Sequence, residues 1–118
     1  MKEFGEGLSV RYGMKFYRDG EGNPRSESGA PTALIGRFLA EDIQDSLNAC
    51  REILGIIERI VHGEIGSWRQ VGNAHVLSLS ADEAKVESLV VPVEKPCRLH
   101  LEEFRKILES WLHFLENQ

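Results

Sequence analysis

This sequence predicts an α+β fold, an antiparallel sheet of about five strands packed against two amphipathic helices, in the order β-β-β-α-β-β-β-α. Three observations lead there. Short runs rich in β-branched and aromatic residues lie near both ends of the chain. Two longer segments repeat apolar residues at steps of three and four. Gly, Pro, Asn and Asp punctuate the intervals between them. A chain of 118 residues suits a single domain spanning 1–118.

The elements follow in order. Leu8–Tyr12 and Met14–Arg18 read as strands, with Gly13 between them. Asp19 to Pro31 carries glycines, prolines and serines without a helical period, and reads as a mobile loop or a long hairpin tip. Thr32 to Leu39 reads as a strand returning from it, with Gly36 as a bulge. From Ala40 to Val61 the apolar residues Ile43, Leu47, Cys50, Leu54, Ile57 and Val61 mark one six-turn helix. Gly63 after His62 supplies its left-handed C-terminal stop. Ser67–Val71, His75–Ser80 and Lys85–Val91 then form an antiparallel meander, and Pro92 and Pro96 flank a connector that cannot lie inside a sheet. His100 to Leu115 closes the chain as a second amphipathic helix, with Leu101, Phe104, Leu108, Trp111 and Leu115 on its buried face.

Charge and composition narrow the function classes. The net charge is −5, and the excess falls on the two helical segments: Glu41, Asp42, Asp45, Glu52, Glu58 and Glu64 face only Arg51 and Arg59 in the first. An acidic chain repels phosphate backbones, so no direct nucleic-acid binding is expected, and a basic protein is the favoured partner. The polar N-terminus and the lack of a long apolar run point to a cytoplasmic protein with no membrane contact. Cys50 and Cys97 read as free buried thiols of a reducing compartment.

No catalytic, cofactor-binding or metal-ligating set emerges. None of His62, His75, His100 and His113 forms the paired spacing that puts two imidazoles on one helix face. Cys97 and His100 supply half of a zinc site and nothing nearby supplies the rest. A nucleophilic role for Cys97 beside a helix entry would need a stabilised thiolate, and packing explains the residue more simply. Gly20 and Gly22 precede no helix, so they mark a turn and not a phosphate loop. Glu41, Asp45, Asn48 and Glu52 recur at steps of four, three and four, which would place them on one polar face of the long helix. They are the expected partner-binding residues, an acidic stripe for a basic surface.

Several short segments carry a family likeness. Phe16-Tyr17-Arg18-Asp19, Ile35-Gly36-Arg37-Phe38 leading into Glu41, Ser67-Trp68-Arg69 followed by Gly72, and Leu101, Glu103, Phe104 and Phe114 resemble the YacL-like family of small bacterial proteins over roughly residues 14–115. The chain departs from that family in its longer N-terminus. It also has the Pro92–Pro96 connector where the family has an acidic, tyrosine-containing stretch. The resemblance implies a small protein with no assigned catalytic residues. In size, charge and architecture the chain also resembles immunity proteins of contact-dependent growth inhibition. That likeness implies a non-enzymatic inhibitor binding a toxin's C-terminal domain, a basic nuclease, through its acidic surface; the alternative, from the family resemblance, is a YacL-like cytoplasmic protein of unassigned housekeeping or adaptor role, with a homodimer open to it.

Overall fold

The computed structural model describes residues 13–29, 32–91 and 94–117. The strand expected at Leu8–Tyr12 lies outside them. The α+β class holds, but the strands divide between two antiparallel sheets instead of forming one.

The first sheet is a hairpin of β1 (Met14–Arg18) and β2 (Pro24–Ser28), paired in register from Met14 with Ser28 to Arg18 with Pro24. The segment expected to be a loop therefore contains a strand. Its polar sequence hid it, because β2 is a peripheral strand with little apolar surface to bury, and Pro24 takes the first position, where a missing N–H is tolerated. The tip is organised by Asp19, whose Oδ1 accepts from the backbone N–H groups of Glu21 and Asn23, each at 2.9 Å. Gly22 adopts φ +85°, which only glycine takes without strain.

Residues 32–39 are not a strand. They form helix α1 (Ala33–Phe38), which runs directly into a π turn over Leu39–Ile43. Gly36 explains the misleading pattern. A Cβ there would lie 2.6 Å from Ser28 Oγ and 2.8 Å from Ser26 Oγ, so the glycine permits close packing of α1 on β2 and is no bulge. Leu34, Ile35 and Phe38 turn inward.

The long helix also differs from expectation. The backbone breaks at Gln44, and α2 (Leu47–Val61) starts afresh with Ser46 Oγ accepting from Ala49 N–H at 3.0 Å. Its C-terminus ends as expected: Gly63 at φ +77° lets Glu64 N–H reach Arg59 C=O at 2.8 Å, while Gly63 N–H reaches Ile60 C=O at 3.0 Å.

The second sheet has the order β3-β4-β5-β6, all antiparallel, from Ser67–Val71, His75–Ser80, Glu83–Ser88 and Cys97–His100. β5 stops three residues short of the expected Val91. β6 was read as part of the helix entry because four residues are too few to show a period. Helix α3 (Leu101–Glu116) follows without a gap and packs along α2, with Cys50 Sγ donating to Leu108 C=O at 3.4 Å. One buried cluster draws on β1, the three helices, the π turn, β4, β5 and β6. At its centre Trp111 is fully buried and meets Phe16 edge to face at 5.0 Å, a contact worth about 1 kcal/mol beyond the buried area. No helix among the described residues is long and apolar enough to cross a membrane.

Candidate functional site

Among the described residues, the one non-glycine residue with positive φ sits between α1 and α2. Gln44 N–H bonds back to Leu39 C=O at 2.8 Å, closing the wide ring of a π turn, a geometry that is rare and concentrated at functional sites. Gln44 itself has φ 56° and ψ −133°, a left-handed conformation unfavourable for a residue with a Cβ. Two hydrogen bonds hold it there. Its carbonyl accepts from Trp111 Nε1 at 3.1 Å, and its side-chain amide donates to Glu41 C=O at 2.7 Å.

The hairpin tip faces this turn. Asn23, Pro24 and Arg25 on one side, and Ala40, Glu41, Gln44 and Asp45 on the other, enclose a cleft of about 340 Å³. Arg18 ties the two sides together, donating to Gly22 C=O at 2.9 Å and pairing with Asp45 at 2.8 Å. Arg25 pairs with Asp19 at 3.0 Å. Hydrogen bonds from Asn23 and then from Arg25 pull the Asp19 carboxyl down to about 2, so it is ionised throughout the physiological range. Glu41 is exposed and carries no ion pair among the described residues, so it is the free charge of the cleft.

The four expected partner-binding residues are therefore divided. Glu41 and Asp45 line one cleft, but across the break at Gln44, not along one helix. Asn48 and Glu52 are exposed on the first turns of α2, and the continuous stripe does not form because the helix it required does not form. Part of the negative charge also has a partner close by. Asp42 lies in the interior against His75, Glu58 is 3.8 Å from His62, Glu64 is 3.4 Å from Arg59, and Glu116 is 2.6 Å from Arg51. Glu102 and Glu109 share Arg105, whose hydrogen bond holds the Glu102 carboxyl below its usual range.

The thiols and imidazoles disperse. Cys97 points into the core while His100, three residues on, falls on the opposite face of β6. Burial raises both thiols, Cys50 to about 12. Among the described residues no three His, Cys, Asp or Glu side chains gather as metal ligands would. Sequence reasoning missed the π turn and Gln44. The available signal was Ser46 three residues ahead of Ala49, an N-cap that should have divided the long helix.

Hairpin, π turn and four-stranded meander together define a small α+β architecture with a polar cleft at the hairpin–helix junction. Residues 13–103 match the family described as Uncharacterised protein family (UPF0231), and the chain belongs to that family. It is the family that the Phe16–Asp19 and Ser67–Gly72 segments resemble. A UPF0231 protein of Shewanella amazonensis (strain ATCC BAA-1098 / SB2B) is 26% identical over 117 residues, covering 86% of this chain and 94% of its own length. A UPF0231 protein of Shewanella sp. (strain MR-4) is 24% identical over 98 residues, covering 70% of this chain and 79% of its own. No solved structure matches the chain. These likenesses bear on the family alone and lend nothing to the immunity-protein resemblance.

Proposed function

We propose that this UPF0231 chain is a non-enzymatic cytoplasmic adaptor that binds a protein partner at the cleft between the β1–β2 hairpin and the π turn. The observation that carries the reading is Gln44: a strained residue in a rare turn, held open by Trp111 and facing a polar cleft. Strain of this kind persists where the surrounding structure over-determines it, and a shaped recognition surface is a reason to keep it. Glu41 is the anchor for a cationic side chain of the partner, since Asp45 already serves Arg18 and Asp19 serves Arg25.

The narrower form of this reading is an immunity protein whose partner is the basic C-terminal domain of a bacterial toxin. It is favoured by one observation, the exposed carboxylates of Glu41 and Glu52, which make no ion pair among the described residues. The two forms separate on the identity of the partner. Co-expression with the product of the adjacent gene, followed by affinity purification, gives a stoichiometric complex with a toxin domain in the narrower form and with another protein in the broader one. In either, Glu41→Lys abolishes the complex while leaving the fold's stability within about 0.5 kcal/mol of the parent, as for an exposed surface change. A complex that survives both Glu41→Lys and Asn23→Lys removes the cleft from the interface.

A further inference from the structure

The four-stranded sheet turns one face to the core, and on the opposite face Val76 is buried as well. Trp68, Leu77, Leu79, Ala84, Val86, Cys97 and Leu99 belong to the core side, so their neighbours along each strand project outward. On that outer face the register aligns Arg69, Ser78, Lys85 and Arg98 as consecutive partners in one row across all four strands. Ser67 and Ser80 form the adjoining pair, followed by Glu83 opposite His100. Arg69, Ser78, Ser80, Glu83 and Lys85 line a shallow depression of about 460 Å³, which Ser67, Trp68 and Leu79 border as well.

The charges in this depression are not balanced. Glu83 is taken by Arg98 at 2.5 Å, and Lys85 approaches Glu87 only to 3.8 Å. Arg69 is exposed and has no carboxylate partner among the described residues. A chain with a net charge of −5 thus carries a hollow in which two cations, Arg69 and Lys85, face one carboxylate, Glu83, with serine hydroxyls beside them. Strand spacing puts Arg69 and Lys85 roughly 5 Å to either side of Ser78, near enough for both side chains to fold over it. A guanidinium fork, an ammonium and serine hydroxyls around one point form a donor set for a tetrahedral oxyanion.

We propose that the outer sheet face carries an oxyanion site over Ser78, between Arg69 and Lys85, that takes the phosphate monoester group of a small phosphorylated ligand. A nucleic-acid strand fits less well. Trp68 is the one Phe, Tyr or Trp in the four strands, and it packs against the core while bordering the depression, so a run of bases would find no series of stacking platforms. The overall negative charge also opposes a polyanion. The site is distinct from the hairpin cleft and does not depend on it.

The test is a backbone-amide NMR titration of the full chain at constant ionic strength, with inorganic phosphate, O-phosphoserine and a short oligothymidylate in separate arms. Saturable shifts centred on Arg69, Ser78 and Lys85 are expected in the first two arms. Tighter binding of phosphoserine than of phosphate would identify the organic ester as the ligand source; equal binding would identify free phosphate. Arg69→Gln and Lys85→Gln should each weaken binding by roughly tenfold, the effect of one charge-assisted contact. Non-saturating shifts, binding unchanged in both variants, or preferential binding of the oligonucleotide would each overturn the proposal.

Discussion

Asp42 and His75 stand 33 residues apart in the chain and meet in the interior, with Asp42 Oδ1 3.0 Å from His75 Nδ1. The same carboxylate accepts from the backbone N–H groups of Ala74 and His75, each at 3.1 Å. One side chain of the π turn therefore closes the β3–β4 turn, and Asn73 Nδ2 returns the tie by donating to Glu41 C=O at 3.3 Å. The cleft and the sheet are joined at this point. Phe38 packs edge to face on the His75 ring at 6.1 Å, which seals the pair from one side.

Removing that carboxylate leaves buried donors without a partner, so Asp42→Ala should destabilise the fold by about 3 kcal/mol. Asp42→Asn keeps one acceptor oxygen and should lose less. Gly72→Ala tests the same junction from the other side, because a Cβ there would lie 2.2 Å from Asp42 Oδ2. Equilibrium urea unfolding measures all three. A Gly72→Ala chain as stable as the parent would mean that Asp42 is free to move aside, contrary to its hydrogen bonding.

At Gln44 the expectation reverses. Its φ of 56° disfavours any residue with a Cβ, while its side chain makes one exposed hydrogen bond, to Glu41 C=O. Gln44→Gly should therefore stabilise the protein by up to about 1 kcal/mol, and Gln44→Val should destabilise it by more than that. If the strained turn serves recognition, the stabilised Gln44→Gly chain should bind its partner more weakly. Thermal melts and the co-purification assay read the two effects separately.

The thiols give a prediction about chemistry. Burial raises Cys50 to about 12 and raises Cys97 as well, so neither supplies a thiolate near neutral pH. Both should resist alkylation in the native chain at pH 8 and react fully in guanidinium. Because the folded state favours the protonated thiol, this stability term is present below the ordinary value of 9.0 and is lost as pH rises toward 12. Rapid native-state alkylation of Cys97 would reopen a thiol-based activity.

Legibility in the sequence followed the amount of apolar surface each element buries. Helix α3 was readable because Leu101, Phe104, Leu108, Trp111 and Leu115 are all buried on one face. So was β4, with Leu77 and Leu79 buried; β3 is mostly exposed, yet the expected bounds of both strands coincide with those found. β2 was not, since its inward contacts are the side chains of Ser26 and Ser28 against Gly36, a polar approach that leaves no hydrophobic period. The π turn was hidden for the opposite reason. Leu39 and Ile43 continue the apolar spacing of α2, and both are buried, so periodicity alone ran through the break at Gln44. Of the candidate site, Glu41 and Asp45 were named, but their relation to Arg18 and Arg25 depends on a hairpin that the sequence pattern concealed.

Acid should expose the hairpin tip's dependence on Asp19. Its carboxyl is held at about 2, against an ordinary 3.8, by hydrogen bonds from Asn23 and Arg25 that favour the charged form. A depressed carboxylate stabilises the folded state fully above 3.8, and the contribution is lost as pH falls through about 2. Asp19→Asn removes the charge at every pH, so the parent should be the more stable at pH 6. The two chains should then converge as pH falls from about 4 toward 2. Carbon-detected NMR of the Asp19 carboxyl gives the midpoint directly. A midpoint near 3.8 would mean that the tip's hydrogen bonds do not hold in solution, and with them would go the fixed wall that Asn23 and Arg25 present to the cleft.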